Sequence, residues 1–122
     1  MKRILVVDDR QYGRLELKGL LESDLENIEL EVDTAESGEQ AVAIQGDLVR
    51  YDLIMMNYQM GNMSGAETIR EIRKMGFGMP IIGYSGWKRY KKAMLEAGAD
   101  DFWYMGPDTN IFDLPKLVRK HL

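Results

Sequence analysis

The chain has 122 residues, of which 45 % are hydrophobic and 30 % charged, and it carries a formal net charge of −4. That length suits one domain whose single core buries roughly two-thirds of the unfolded surface, so residues 1–122 are read as one unit. The negative balance counts against a nucleic-acid-binding module, the lack of cysteine excludes disulfides and thiolate metal sites, and His121 alone founds no histidine cluster.

A reducing, cytoplasmic setting fits this composition. The first apolar run, Ile4-Leu-Val-Val7, is too short for a membrane span or a signal-peptide core and reads as a strand buried on both faces. Leu17, Leu20, Leu21 and Leu25 then form the apolar stripe of a first helix. The alternating run Ile28-Glu-Leu-Glu-Val32 predicts a strand with one solvated face. Ser37-Gly-Glu-Gln40 matches a capping box, in which the hydroxyl accepts an orphan helix N–H and the third residue on reaches back. Gly46 is the expected stop of that helix.

Tyr51-Asp-Leu-Ile-Met-Met-Asn57 is a third strand, followed by a second capping box, Ser64-Gly-Ala-Glu67. The helix it opens has Ile69 and Ile72 on its apolar side and Gly76 at its end. Pro80-Ile-Ile82 is a fourth strand, Trp87 to Ala97 a fourth helix stopped by Gly98, and Asp101-Phe-Trp-Tyr104 a fifth strand. Pro115 must lie in the first turn of the last helix, which favours Asp113 over Thr109 or Asn110 as its cap. The methionines Met55, Met56, Met60, Met63 and Met105 read as core filling. With no linker or repeat in view, any output domain is expected outside this sequence, and Met1 just before the first strand reads as a natural N-terminus.

Strands alternating with helices imply a parallel α/β sheet with five strands and five helices on both faces, because parallel strands need crossover connections. Such sheets bind ligands beyond the carboxyl ends of their strands. Three segments deliver polar residues there: Asp8-Asp9, Asn57 and Ser85. A phosphoryl-acceptor site needs this kind of set, with carboxylates to hold Mg²⁺, an acid oxygen to attack, a hydroxyl to receive a phosphoryl oxygen and a cation to balance charge. Asn57 cannot be the nucleophile, because a neutral amide oxygen attacks phosphorus poorly.

Over essentially its whole length the chain resembles the receiver domain of two-component response regulators. The resemblance is carried by Ile4-Leu-Val-Val-Asp-Asp9, by Tyr51 to Asn57 with Met60-Gly-Asn-Met-Ser-Gly65, by Pro80-Ile-Ile-Gly-Tyr-Ser85 and by Ala97-Gly-Ala-Asp-Asp-Phe102. It implies a doubly wound, flavodoxin-like sheet of order 2-1-3-4-5 and a non-enzymatic signalling role. It also implies that Asp8, Asp9 and the Gln59 carbonyl hold Mg²⁺, joined here by the Asn57 side chain with weakened affinity. Ser85 corresponds to the switch hydroxyl and Phe102 to the switch aromatic.

Two departures stand out. Asn57 fills the phosphoacceptor position where the family has Asp, and Met105 fills the position of the family's lysine, while Gly106-Pro107 moves the following proline by one. Gly61 stands where the family usually has proline. The two losses agree electrostatically: a partly buried lysine facing a neutral amide would be left without its counter-charge, at a cost of several kcal/mol. Two readings stand for Asp8 and Asp9, a residual metal site or residues that close a strand and cap a helix beside Arg10 or Arg14. Ser85 is likewise either a switch or a hydroxyl satisfying its own loop.

The resemblance makes the fourth helix, fifth strand and fifth helix an output or dimerisation face. There Trp87, Lys88, Arg89, Tyr90, Lys91 and Lys92, followed by Phe102, Trp103 and Tyr104, combine aromatic anchors with charge, the residue types enriched at binding hot spots. The expected partner is a protein (a signalling kinase, an output protein or a second copy), with no nucleic acid and no membrane. Three functions are weighed: a phosphorylation-independent interaction module, a receiver still regulated through Mg²⁺ or a phosphoryl group on another acid, and a small-molecule-binding α/β domain. The last lacks a glycine-rich phosphate loop and any Ser-His-Asp arrangement.

Overall fold

In the computed structural model, which describes residues 1–25 and 27–122, five parallel strands form one sheet in the order β2-β1-β3-β4-β5. The strands are β1 (Lys2–Val7), β2 (Leu30–Ala35), β3 (Leu53–Asn57), β4 (Ile81–Ser85) and β5 (Asp101–Tyr104). The helices are α1 (Gln11–Asp24), α2 (Gly38–Ala43), α3 (Gly65–Lys74), α4 (Lys91–Ala97) and α5 (Leu114–His121). Period-2 alternation divides the core in two. Ile4, Val6, Leu53, Met55, Ile82 and Tyr84 face α1 and α5, where Leu17, Leu21, Leu114 and Val118 meet them. Leu5, Val7, Ile54, Met56 and Ile81 face the opposite layer, where Ala41, Ile69, Ile72 and Met94 of α2, α3 and α4 close over them.

The architecture expected from the sequence is the one observed, and the differences lie at element ends. β2 begins at Leu30, because its pairing runs from Lys2 beside Leu30 to Val7 beside Ala35; Ile28 sits in the turn before it, donating its N–H to Leu25. β4 starts after Pro80, which lacks an N–H for the ladder, and runs on to Ser85. The Ser64 box closes on both sides, with Glu67 N–H to Ser64 Oγ at 3.1 Å and Ser64 N–H to Glu67 Oε1 at 3.3 Å. At Ser37 only half of it forms: Ser37 Oγ accepts from Gln40 N–H, while the Gln40 side chain takes the N–H of Glu36 at 2.6 Å.

Gly76 and Gly98 adopt positive φ at the ends of α3 and α4 as expected, but the left-handed residue after α2 is Gln45 (φ 51°) rather than Gly46. A 3-10 turn from Gln45 to Arg50 follows, buried through Leu48. The segment predicted as one helix from Trp87 is a 3-10 turn, Lys88–Tyr90, leading into α4. Asp113 takes the N-cap position of α5 without a side-chain hydrogen bond, whereas Asn110 caps the 3-10 turn before it by accepting from Phe112 N–H.

Asp33 is the polar residue of edge strand β2 that the sequence leaves unexplained. Burial alone would raise its pKa, but Tyr51 donates to it at 2.8 Å and Arg3 at 3.0 Å, and together they hold it below the usual carboxylate value. Burial, followed by the same bond, pushes Tyr51 up to about 12 from 10.0. A raised pKa means that the neutral phenol is favoured by folding. Its contribution is therefore complete below pH 10 and disappears as pH rises through about 12. Urea unfolding across that window is expected to show falling stability, with a shallower fall in Tyr51→Phe; an identical slope would dissociate the pair from alkaline unfolding.

Candidate functional site

The parallel register brings the ends of β1, β3 and β4 level, so alternation sends Asp8, Asn57 and Tyr84 to the same face, above the α1 and α5 layer. Asp8 is fully buried. Its Oδ1 accepts from the backbone N–H of Arg10 at 2.9 Å, from Arg10 Nε at 3.2 Å and from Asn57 Nδ2 at 3.2 Å. Its Oδ2 accepts from Arg10 Nη2 at 3.1 Å and from the Tyr84 hydroxyl at 2.7 Å. Burial, reinforced by the Asp8 charge, pushes the Tyr84 phenol well above its ordinary pKa, so at neutral pH it is a donor. The hydrogen bond to Asp8 likewise raises the Arg10 guanidinium.

Asn57, the second buried polar residue here, spends its amide N–H groups on two oxygens, Asp8 Oδ1 and the Gln59 carbonyl at 3.1 Å. The opposite amide orientation would set an oxygen against both acceptors, so the geometry selects this one. Asp9 is exposed and lines a neighbouring cleft with Tyr58, Gln59 and Tyr90. The acidic pair is thus split into a buried, saturated member and a free-standing one. Arg14 bonds the Asp8 backbone carbonyl at 2.9 Å and approaches Glu36, rather than the Asp8 carboxylate.

Ser85 is buried and faces a crevice of about 160 Å³ with Arg10, Asn57, Gln59, Gly86 and Trp87. Its Oγ accepts from Trp87 N–H at 3.1 Å, the loop-satisfying role. Met105 does not line this crevice. It packs partly buried against the α1 and α5 side of the core and borders the cleft shared with Trp87, Lys88 and Tyr104. Arg10 is therefore the one cation lining the crevice among the described residues. Phe102 lies half-buried against the α2, α3 and α4 layer.

The strand also divides the aromatic patch. Tyr104 is on the α4 side, with Lys88 Nζ 4.9 Å from its ring centre, while Trp103 packs into the opposite layer and does not join the surface cluster. Trp87 is 54 % exposed, with the Arg89 guanidinium 4.9 Å above its ring and 5.1 Å from that of Tyr90. Tyr90 stacks on Tyr58 with ring centres 3.8 Å apart and planes 11° off parallel, and Gln59 Nε2 reaches the Tyr90 hydroxyl at 3.4 Å. The start of α4 is thereby tied to the loop after Asn57. Lys91 and Lys92 extend the basic surface. Sequence reasoning missed Tyr84 and Tyr58. The signal for Tyr84 was present as a polar-tipped side chain two residues past Ile82, on the face that Asp8 and Asn57 share.

A sequence model of the response regulator receiver domain matches residues 4–104. The two-component response regulator ORR41 of Oryza sativa subsp. japonica is 38 % identical over 109 residues, covering 84 % of this chain and 81 % of that protein. The transcriptional regulatory protein CusR of Escherichia coli is 32 % identical over 84 % of this chain, which spans 43 % of its length. Among solved structures, TrrA of Thermotoga maritima in complex with Mg²⁺ and BeF aligns over 100 % of both chains with a TM-score of 0.78 and 34 % identity. The receiver domain of the histidine kinase CKI1 from Arabidopsis thaliana, complexed with Mg²⁺, aligns over 98 % of this chain and 90 % of that one with a TM-score of 0.79 and 28 % identity.

Proposed function

This chain belongs to the response regulator receiver domain family, and from that premise we propose that it is a degenerate receiver, a phosphorylation-independent protein-interaction module of two-component signalling. Receiver domains are mostly non-enzymatic and interact with kinases and output proteins. The observation that carries the proposal is the state of Asn57. It stands at the acceptor position with an amide whose N–H groups are committed to Asp8 and Gln59, and Met105, at the lysine position, carries no charge and does not line the crevice that Asn57 lines.

The acceptor position carries no carboxylate and the lysine position no ammonium, and the one hydroxyl lining the crevice among the described residues, Ser85, is a neutral alcohol whose oxygen accepts from the Trp87 N–H rather than a charged nucleophile. Asp8 has both oxygens engaged by Arg10, Tyr84 and Asn57. The alternative, a receiver still modified on another acid, would have to use exposed Asp9.

What the domain retains is a surface. Trp87 and Tyr90 present rings that share the Arg89 guanidinium and Tyr104 one that faces Lys88, with Lys91 beside them, and the Tyr58–Tyr90 stack holds the start of α4 without any phosphoryl group. Pre-ordered aromatic and Arg side chains lose little entropy on binding. The basic stretch in a chain of net charge −4 favours an acidic protein surface as its complement. The cytoplasm is the expected location; among the described residues no helix is long and apolar enough to cross a membrane.

Intact mass after incubation with acetyl phosphate and Mg²⁺ tests the proposal. The expected result is an unchanged mass. Gain of a phosphoryl group would refute the degenerate reading, and its mapping to Asp9 would establish the alternative.

A further inference from the structure

Mg²⁺ is the ion that solved relatives such as TrrA and the CKI1 receiver carry, and the residues here do not fit it. An ion bridging Asp8 Oδ1 and the Gln59 carbonyl would occupy the place of the Asn57 N–H groups that already bridge them, at 3.2 and 3.1 Å. Mg²⁺ requires oxygen ligands in near-octahedral arrangement and tolerates no N–H pointing at it. The Arg10 guanidinium lies against both Asp8 oxygens, and the Tyr84 hydroxyl takes the remaining direction at Oδ2. Among the described residues, no group of three or more acidic, histidine or cysteine side chains is placed to hold a metal.

We propose that this crevice carries its own cation in place of a divalent metal: Arg10, with the Asn57 amide and the Tyr84 hydroxyl, occupies the positions around Asp8 and Gln59 that Mg²⁺ would need. The charge balance is local. One buried carboxylate is matched by one guanidinium, and every acceptor direction at Asp8 receives a donor. A buried charge with its bonds satisfied in this way has no free-energy reason to recruit an ion, whereas a buried carboxylate left unpaired would.

Gly13 is part of the same device. A Cβ there would lie 2.6 Å from Asp8 Oδ2 and 3.2 Å from Arg10 Nη2, so only glycine lets the first turn of α1 close over the ion pair. Tyr84 explains why the site persists: its ring is fully buried in the α1 and α5 layer, so its hydroxyl is fixed by packing rather than by the site it serves. This inference rests on the Asp8 contacts and is separable from the proposed function. A receiver without phosphoryl chemistry could still bind Mg²⁺, and the measurement below does not involve phosphorylation.

Titration with Mg²⁺ alone, followed through the backbone amide resonances of Asp9, Asn57 and Gln59 against a NaCl control of equal ionic strength, decides the matter. In the wild type the expected result is no saturable shift in the millimolar range. Arg10→Gln combined with Asn57→Asp, which removes the resident cation and the bridging N–H, is expected to produce saturable shifts and to bind at least about tenfold more tightly, since affinity follows ligand charge. If that double variant loses its native spectrum, Arg10→Gln alone, at a side chain 61 % exposed, is expected to show the same gain to a smaller degree. Saturable Mg²⁺ shifts in the wild type, or variants that bind no more tightly than it does, would overturn the inference.

Discussion

Asn57→Asp combined with Met105→Lys is expected to turn an unlabelled chain into one that takes a phosphoryl group from acetyl phosphate in the presence of Mg²⁺. Asn57→Asp replaces an N–H donor 3.2 Å from Asp8 Oδ1 with a second carboxylate oxygen. Two carboxylates that close cannot both ionise without a cation between them, so the substitution creates a demand for metal where none exists in the wild type. Met105→Lys supplies the second cation. Met105 borders the cleft lined by Gly86 and Trp87, which also line the crevice, so a lysine there is expected to bring its ammonium to the edge of the crevice.

Asn57→Asp alone is expected to label slowly, and adding the ammonium to raise the rate by roughly a hundredfold, the scale on which one preorganised electrostatic contact acts. Time-resolved intact-mass spectrometry reads both. A double variant that binds Mg²⁺ yet stays unlabelled would show that Arg10 or Tyr84 disables the site as well, and adding Arg10→Gln would then be the discriminating step.

Gly65→Ala is expected to destabilise the domain by about 3 kcal/mol or more, the upper end of overpacking costs. α3 opens directly against the end of β3: Gly65 N–H bonds the Tyr58 carbonyl at 2.7 Å, and a Cβ on Gly65 would run into the Asn57 carbonyl oxygen, with Met94 Cε only 2.8 Å away. Backbone cannot yield as a side-chain tip can, so α3 must lift off the sheet and lose that bond. The midpoint of thermal unfolding is expected to fall by roughly 10 °C. Gly83→Ala provides the internal comparison. Its Cβ would meet the flexible end of Met94, with Sδ at 2.5 Å, and should cost less because methionine can re-rotamer. Equal losses at the two positions would contradict this distinction between backbone and side-chain contact.

Much of the candidate site is legible in the sequence alone. The sequence puts Asp8, Asp9, Asn57 and Ser85 at strand ends, and the observed strands end at Asn57, at Ser85 and, for the acidic pair, one residue before Asp8. Helix stops at Gly76 and Gly98 and the Ser64 capping box were equally visible, because each needs only a few adjacent residues. Less legible were β2, whose start depends on matching the length of β1, and the split of Trp103 from Tyr104, which depends on what covers each face of β5. Tyr58 and Tyr90 meet across 32 residues of chain (90 − 58), and neither carries a local mark of the other.

The sequence by itself determined the parallel α/β architecture and put Asn57 at the end of its third strand and Met105 just past its fifth, because periodicity, turn chemistry and side-chain identity are local properties of the chain. Only the tertiary structure decided what surrounds Asp8. The Asn57 amide comes from 49 residues away and the Tyr84 hydroxyl from 76, brought level by parallel register and turned to one face by the pleat. An acidic pair that reads in one dimension either as a metal site or as a strand end beside Arg10 or Arg14 is, in three, one exposed carboxylate and one whose charge the fold has already neutralised with Arg10.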